Sequence, residues 1–175
     1  KEALLLEILL SLTRAIDAKS VWTGGHSGRV SAYGLALGQA LALPERELEA
    51  LKMAGHLHDI GKLATPEAIL DKPGALTPEE YALIKKHPED GARIVGPVGD
   101  HAALVPGILH HHERWDGKGY PADLRGEAIP LPARILCIAD VYDAISADRP
   151  YRTGMPSEKA LAFMRENAGV MFDPK

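Results

Sequence analysis

The sequence predicts an all-α fold, a bundle of about seven helices with one long loop near residue 120. Three observations point there. Apolar residues recur at helical spacing over several long segments. Aromatic residues make up only 5% of the chain, so the core must be built from Leu, Ala, Ile and Val. Helix starts and stops marked by Pro, Gly and Thr punctuate the segments, and no run alternates apolar and polar convincingly enough for a strand.

Glu2 to Ala18 reads as the first helix, with Leu5, Leu9, Leu12 and Ile16 on one face and Leu4, Leu6, Ile8 and Leu10 widening the stripe. That excess of apolar surface needs either full burial or a second partner. Thr23-Gly24-Gly25 breaks the helix. His26 opens the next one, predicted to run to Leu43. Pro44 then fits the first turn of a third helix over 45–58, which Gly61 stops just after His58-Asp59. Residues 65–78 are rich in turn formers. Thr77-Pro78-Glu79-Glu80 is a helix start with a capping box. His87-Pro88 marks a break, followed by a helix to about Val95. A helix over 101–112 enters His110-His111-His112. The loop from Trp115 to Pro130 is longer than an ordinary connection, and such loops usually carry function; a short two-stranded ribbon within 120–131 is also compatible with it. Ala133 to Ala147 is a strongly apolar helix, and Pro156-Ser157 opens a last one to about Asn167.

The 175 residues suffice for one self-folding core, and 46% apolar with 25% charged residues is the balance of a soluble globular chain. The net charge of −4, from 20 basic and 24 acidic side chains, excludes a wide basic surface for a long nucleic acid. A small anionic ligand fits, because bound cations reverse the local charge of a site. No apolar stretch approaches the ~18 residues of a membrane span. The single cysteine, Cys137, rules out an intramolecular disulfide and fits a reducing, cytoplasmic setting. The first helix lacks a cap and the end at Asp173-Pro174-Lys175 lacks a terminating pattern, so the chain reads as part of a longer protein.

Against this background His58-Asp59 stands out. Imidazole nitrogen and carboxylate oxygen both bind divalent metals, but neighbours on a helix point about 100° apart. They share an ion only at a helix end or by bridging two ions. The chain supplies further ligand types at helix ends, breaks or inward faces: His26, His87, His111, His112 and Asp140. Five histidines and two aspartates exceed the needs of one ion and suggest a pair. Two ions about 3.5–4 Å apart suit a phosphodiester, clamping it and generating hydroxide at neutral pH. Lys62 offers a point charge to a phosphate oxygen, and Arg149 and Arg152 offer bidentate contacts. A lone histidine is more often structural, and His56, His101 and His110 are read that way. Trp115 and Tyr151 are read as packing groups, Lys85-Lys86 as a solvated face, and Glu113 as a group orienting a histidine.

These residues resemble a known family. His58-Asp59-Ile60-Gly61-Lys62, His111-His112-Glu113 and Gly119-Tyr120-Pro121 look like the HD-GYP group of the HD phosphohydrolase superfamily. So do His26-Ser27-Gly28-Arg29-Val30, Lys72-Pro73-Gly74, His87-Pro88, Asp140-Val141-Tyr142-Asp143-Ala144 and Arg149-Pro150-Tyr151-Arg152. The resemblance implies an HD-domain helical bundle over residues 20–175, truncated at its C-terminus; the uncapped helix in residues 1–19, apolar on both sides, is read from its pattern as one from an upstream signalling domain or a dimer contact. It implies hydrolysis of cyclic di-GMP to pGpG, and in some members on to GMP, at an iron or manganese centre of two or three ions. His58, Asp59, His87, His111, His112 and Asp140 match ligands, with Asp59 as the bridge, and His26 matches a further one. Asp59 and Lys62 match the catalytic pair, and Lys62, Tyr120, Arg149 and Arg152 the substrate contacts. The Gly-Tyr-Pro loop implies a diguanylate cyclase (GGDEF) domain as partner, and a second copy of the chain is another. Three-metal members carry a glutamate at the place of Trp22; tryptophan cannot ligate, so two ions and pGpG as the main product are expected. Two alternatives stay open: a non-catalytic module that binds a nucleotide or a partner, and a hydrolase of another cyclic dinucleotide.

Overall fold

The computed structural model describes residues 2–19, 24–97, 101–148 and 152–175. The α-helices of the described residues are, in order, α1 (Glu2–Lys19), α2 (His26–Ala40), α3 (Glu45–Leu57), α4 (Glu67–Leu70), α5 (Pro78–Ile84), α6 (His87–Val95), α7 (Val105–His110), α8 (Leu131–Ser146) and α9 (Ser157–Glu166). The all-α expectation holds. The ribbon allowed for within 120–131 is not formed; that stretch instead holds a 3-10 turn at Gly126–Ala128. An isolated β-bridge joins Ala168 and Phe172.

The core lies where α2, α3, α7 and α8 meet. Val30, Leu51, Leu57, Ile108 and Leu136 are fully buried in it, and Leu9 of α1 and Val95 of α6 close its sides. Each fully buried aliphatic side chain contributes about 1.5–3 kcal/mol relative to exposure. The helices therefore form because their apolar stripes meet one another. Glu45–Leu57 is not apolar on average, yet Leu51, Ala54 and Leu57 all face inward at helical spacing.

Helix ends follow the local chemistry. The Thr77 capping box forms in full: Glu80 N–H donates to Thr77 Oγ1 at 3.2 Å and Thr77 N–H to Glu80 Oε2 at 2.8 Å. Helix α2 stops at Ala40 rather than Leu43, because Ala42 takes a left-handed φ of 54° as the chain turns toward Pro44. The helix expected over 101–112 is a 3-10 turn at His101–Leu104 followed by α7. Pro106 lacks an N–H and cannot donate to the turn before it, which interrupts the α ladder there. The turn-rich 65–78 segment holds the short α4, which propensity alone does not reveal.

On α1, Leu9, Thr13 and Asp17 are buried while Leu4, Ile8 and Leu12 are exposed. The helix is thus packed on one side only. Among the described residues no helix is long and apolar enough to cross a membrane.

Candidate metal centre

Seven side chains from five places in the sequence converge at one end of the bundle. His26 opens α2. His58 and Asp59 follow α3, in the step between that helix and a 3-10 turn at Ile60–Ala64. His87 opens α6, His111 and His112 follow α7, and Asp140 lies in the middle of α8. The helix end is what lets His58 and Asp59 converge, since Asp59 has left the α-helical path at φ −95°, ψ 2°.

Candidate ligand atoms fall into three overlapping groups, each within 4.8 Å: His87, His111 and His112; His26, His58 and Asp140; His58, Asp59 and His111. Asp59 spans them. Its Oδ1 lies 3.4 Å from His87 Nε2. Its Oδ2 lies 3.5 Å from His58 Nε2 and 3.7 Å from His26 Nε2. Asp140 Oδ1 is 3.2 Å from His26 Nε2.

One device recurs. His58 Nδ1 lies 2.8 Å from the Gly55 carbonyl, His87 Nδ1 2.8 Å from Ile84 and His111 Nδ1 2.7 Å from Ile108. In every case the carbonyl is three residues back. A carbonyl only accepts, so each neutral ring carries its proton on Nδ1 and turns the Nε2 lone pair inward. The consequence is a test of fit. His87 Nε2 and His111 Nε2 stand 3.3 Å apart with no proton between them, and buried His58 Nε2 has no hydrogen-bond partner. Inward lone pairs of this kind suit a shared cation, so the donor set fits a metal.

The electrostatics agree. Burial first, and then the neighbouring imidazoles, hold His111 far below its ordinary range. Burial lowers His87 as well and pushes His112 down to about 4. These rings are neutral at pH 7, the form that ligates. Burial would raise Asp59, but Lys62 and three histidines keep it well below the usual carboxylate range. Burial likewise opposes the charge of Asp140, and His26, His58 and His112 outweigh it. His26 is the exception: burial lowers it, but Asp140, Asp143 and Asp59 together raise it to about 10.

Asp143 is a site residue the sequence reading missed. Its Oδ2 accepts from His26 Nδ1 at 2.7 Å, and Arg29 Nε donates to its Oδ1 at 2.6 Å. The signal was present: Asp143 lies three residues after Asp140 on one face of α8. Glu113 differs from expectation. It orients no histidine of the groups above; its carboxylate accepts from the N–H of Ala122 at 2.7 Å and of Leu124 at 3.0 Å. It ties down the Gly-Tyr-Pro loop, whose two amides outcompete a ring for it. His110 lies outside the three groups, its Nδ1 3.6 Å from Glu113 Oε1.

Lys62 Nζ lies 2.5 Å from Asp59 Oδ2. Tyr120 stacks on His112 with centroids 4.8 Å apart and planes at 28°. The exposed Arg152 donates to the Ala144 carbonyl, one turn beyond Asp140 on α8. Arg149, Tyr151 and Trp22 lie outside the described residues.

The model of the HD domain family matches residues 11–175. The chain is 46% identical over 168 residues to the cyclic di-GMP phosphodiesterase PA4108 of Pseudomonas aeruginosa, covering 95% of this chain and 40% of that protein. It is 41% identical over 168 residues to the 3'3'-cGAMP-specific phosphodiesterase 3 of Vibrio cholerae, covering 96% and 36%. The crystal structure of the V. cholerae cyclic GMP-AMP specific phosphodiesterase V-cGAP3 superposes with a TM-score of 0.74 at 27% identity, over 97% of this chain and 46% of that one. The chain thus spans less than half the length of these relatives.

Proposed function

The chain belongs to the HD domain family, with the Gly-Tyr-Pro loop of its HD-GYP group, and from that premise we propose that it is a metal-dependent phosphodiesterase that hydrolyses cyclic di-GMP to linear pGpG. The observation that carries the proposal is the set of inward lone pairs on His58, His87 and His111 beside the Asp59 carboxylate. Likeness to the P. aeruginosa relative supplies the substrate.

His87, His111 and His112 would hold one ion, His26, His58 and Asp140 a second, and Asp59 would bridge them; iron or manganese suits this mix of imidazole and carboxylate. When bound, such a pair polarises a phosphoryl oxygen and generates a nucleophile from water at neutral pH. The chain supplies the rest. Asp143, gripped by Arg29, fixes the His26 ring and its tautomer. Partly buried Lys62 brings a positive charge beside Asp59; burial opposes that charge, and Asp59, with Asp140 and Asp17, outweighs it. There it meets the non-bridging oxygens of a phosphodiester as charge builds on them. Tyr120, held flat on His112, walls the site and keeps the ring from turning. Arg149 and Arg152 are assigned to the substrate by resemblance. Water adds across one P–O3' bond; the phosphate stays on the 5' side and the freed 3' oxygen takes the proton.

The naming of a relative for 3'3'-cGAMP supports a second reading, that a mixed cyclic dinucleotide is the preferred substrate. A diguanylate cyclase (GGDEF) domain at the Gly-Tyr-Pro loop is proposed as a partner on resemblance, and a second copy of the chain on the apolar face that α1 leaves exposed. Residues 1–19 are proposed as the helix that carries a signal from another part of the protein, with exposed Leu4, Ile8 and Leu12 in support.

The test is chromatography of products from metal-loaded protein. Cyclic di-GMP should disappear and pGpG accumulate. Protein that carries its metals and leaves every cyclic dinucleotide intact refutes the proposal, and rapid passage to GMP refutes the assignment of pGpG as the end product.

A further inference from the structure

Helix α5 touches the centre without contributing a ligand. The carbonyl of Ile84, its last residue, holds His87 Nδ1 at 2.8 Å. One residue on, the ammonium of half-buried Lys85 lies 5.3 Å from the centroid of the Tyr81 ring and 5.7 Å from that of Tyr120. Tyr120 is in turn stacked on His112. A layered rim results, running from the candidate ligand His112 through Tyr120 and Lys85 to Tyr81.

Two features of that rim bear on what it could bind. Among the described residues no carboxylate pairs with Lys85; its partners are the two ring faces, which attract a cation weakly and leave its hydrogen-bonding capacity unspent. Tyr81 is 47% exposed, so much of its ring packs against nothing. An exposed aromatic face beside an unpaired ammonium, close to a centre that takes a phosphodiester, is the equipment for a nucleobase. The ring supplies stacking, which tolerates any base. The ammonium supplies choice: guanine presents two acceptors, O6 and N7, on one edge, whereas adenine sets a donor amine beside its N7.

We propose that Tyr81 and Lys85 form a guanine subsite on the rim, with Tyr81 stacking the base and Lys85 meeting O6 and N7. This rests on the reading of the centre as a cyclic-dinucleotide phosphodiesterase and adds to it a specificity-determining pair on α5. The second tyrosine contact, with Tyr120, parks the ammonium next to the centre until a base displaces it.

The experiment compares kcat/KM for cyclic di-GMP and cyclic di-AMP in the metal-loaded wild type, Lys85→Met and Lys85→Arg. The wild type should favour cyclic di-GMP. Lys85→Met should lose about tenfold of that preference, mainly through cyclic di-GMP. Lys85→Arg should keep it, since a guanidinium also meets O6 and N7. A merely structural lysine would lower both substrates alike; an equal fall, or an unchanged ratio, overturns the inference and leaves the phosphodiesterase reading standing. A wild type that cleaves bis(p-nitrophenyl) phosphate but no cyclic dinucleotide overturns the functional reading, and the subsite with it.

Discussion

His58, His87 and His111 come from three different segments, yet each gives its Nδ1 proton to the carbonyl three residues back. Any helical turn can supply that acceptor, so the tautomer is set by backbone already present. His26 opens its helix, has no preceding turn to use, and takes Asp143 instead. That makes Asp143 a positioning residue whose loss should be felt locally. Asp143→Asn should weaken metal binding by about 10–100-fold, the range for the partner of a ligating histidine. Metal titration of the variant checks this; affinity equal to wild type would mean that His26 is not held through Asp143. The same logic shows what the sequence made legible. Histidines and aspartates beside helix breaks announced themselves by type and place. Asp143 did not, because a carboxylate one turn from another is usually a solvated neighbour. Lys85 was hidden for the same reason: only the fold reveals that its helix ends against the His87 ring.

At the scale of elements, two glycines decide whether the segments can meet at all. A Cβ on Gly61 would lie 1.9 Å from the His87 carbonyl oxygen and 2.5 Å from Gly91 N, so the turn after His58-Asp59 sits directly on the start of α6. A Cβ on Gly119 would lie 2.4 Å from Glu113 Cα and 2.3 Å from Arg114 N. The Gly-Tyr-Pro loop therefore lies on the backbone that follows the His111-His112 doublet, where Glu113 holds it and Tyr120 N–H donates to the His112 carbonyl at 3.2 Å. Gly119→Ala should cost about 1–3 kcal/mol, the range for forcing atoms into packed space, and should lift Tyr120 off His112. A urea melt measures the first; an unchanged midpoint would mean that the loop is not seated there. Helix existence was readable from apolar spacing except at the four-residue α4. Helix ends were readable where a cap defines them, as at Thr77, and less so at α2 and α7, where a left-handed residue or an internal proline sets the limit.

For the molecule as a whole, a helical bundle spends part of its stability on holding uncompensated groups at one end. His87, His111 and His112 are all depressed by burial, His112 to about 4. Unfolded, they titrate near 6.5. As pH falls below that value the unfolded chain binds protons that the folded chain refuses, so stability falls with it. His26 works the other way, but its raised value of about 10 means that its contribution is already complete below 6.5. The lowered Asp59 and Asp140 enter only near and below ordinary carboxylate values. Metal-free protein should therefore lose thermal stability from about pH 6.5 down toward 4, and thermal melts across that interval check it. A flat profile would mean that the three rings are not buried as neutral ligands.

The most direct measurement is metal content beside turnover of cyclic di-GMP, made anaerobically on one sample each of wild type and Asp59→Ala. The wild type should carry two ions per chain and make pGpG. Folded Asp59→Ala should lose turnover by more than about a hundredfold and hold its metal less tightly, since even indirect partners of a ligand cost 10–100-fold. A wild type that binds no metal, or an Asp59→Ala variant as active as its parent, contradicts the account.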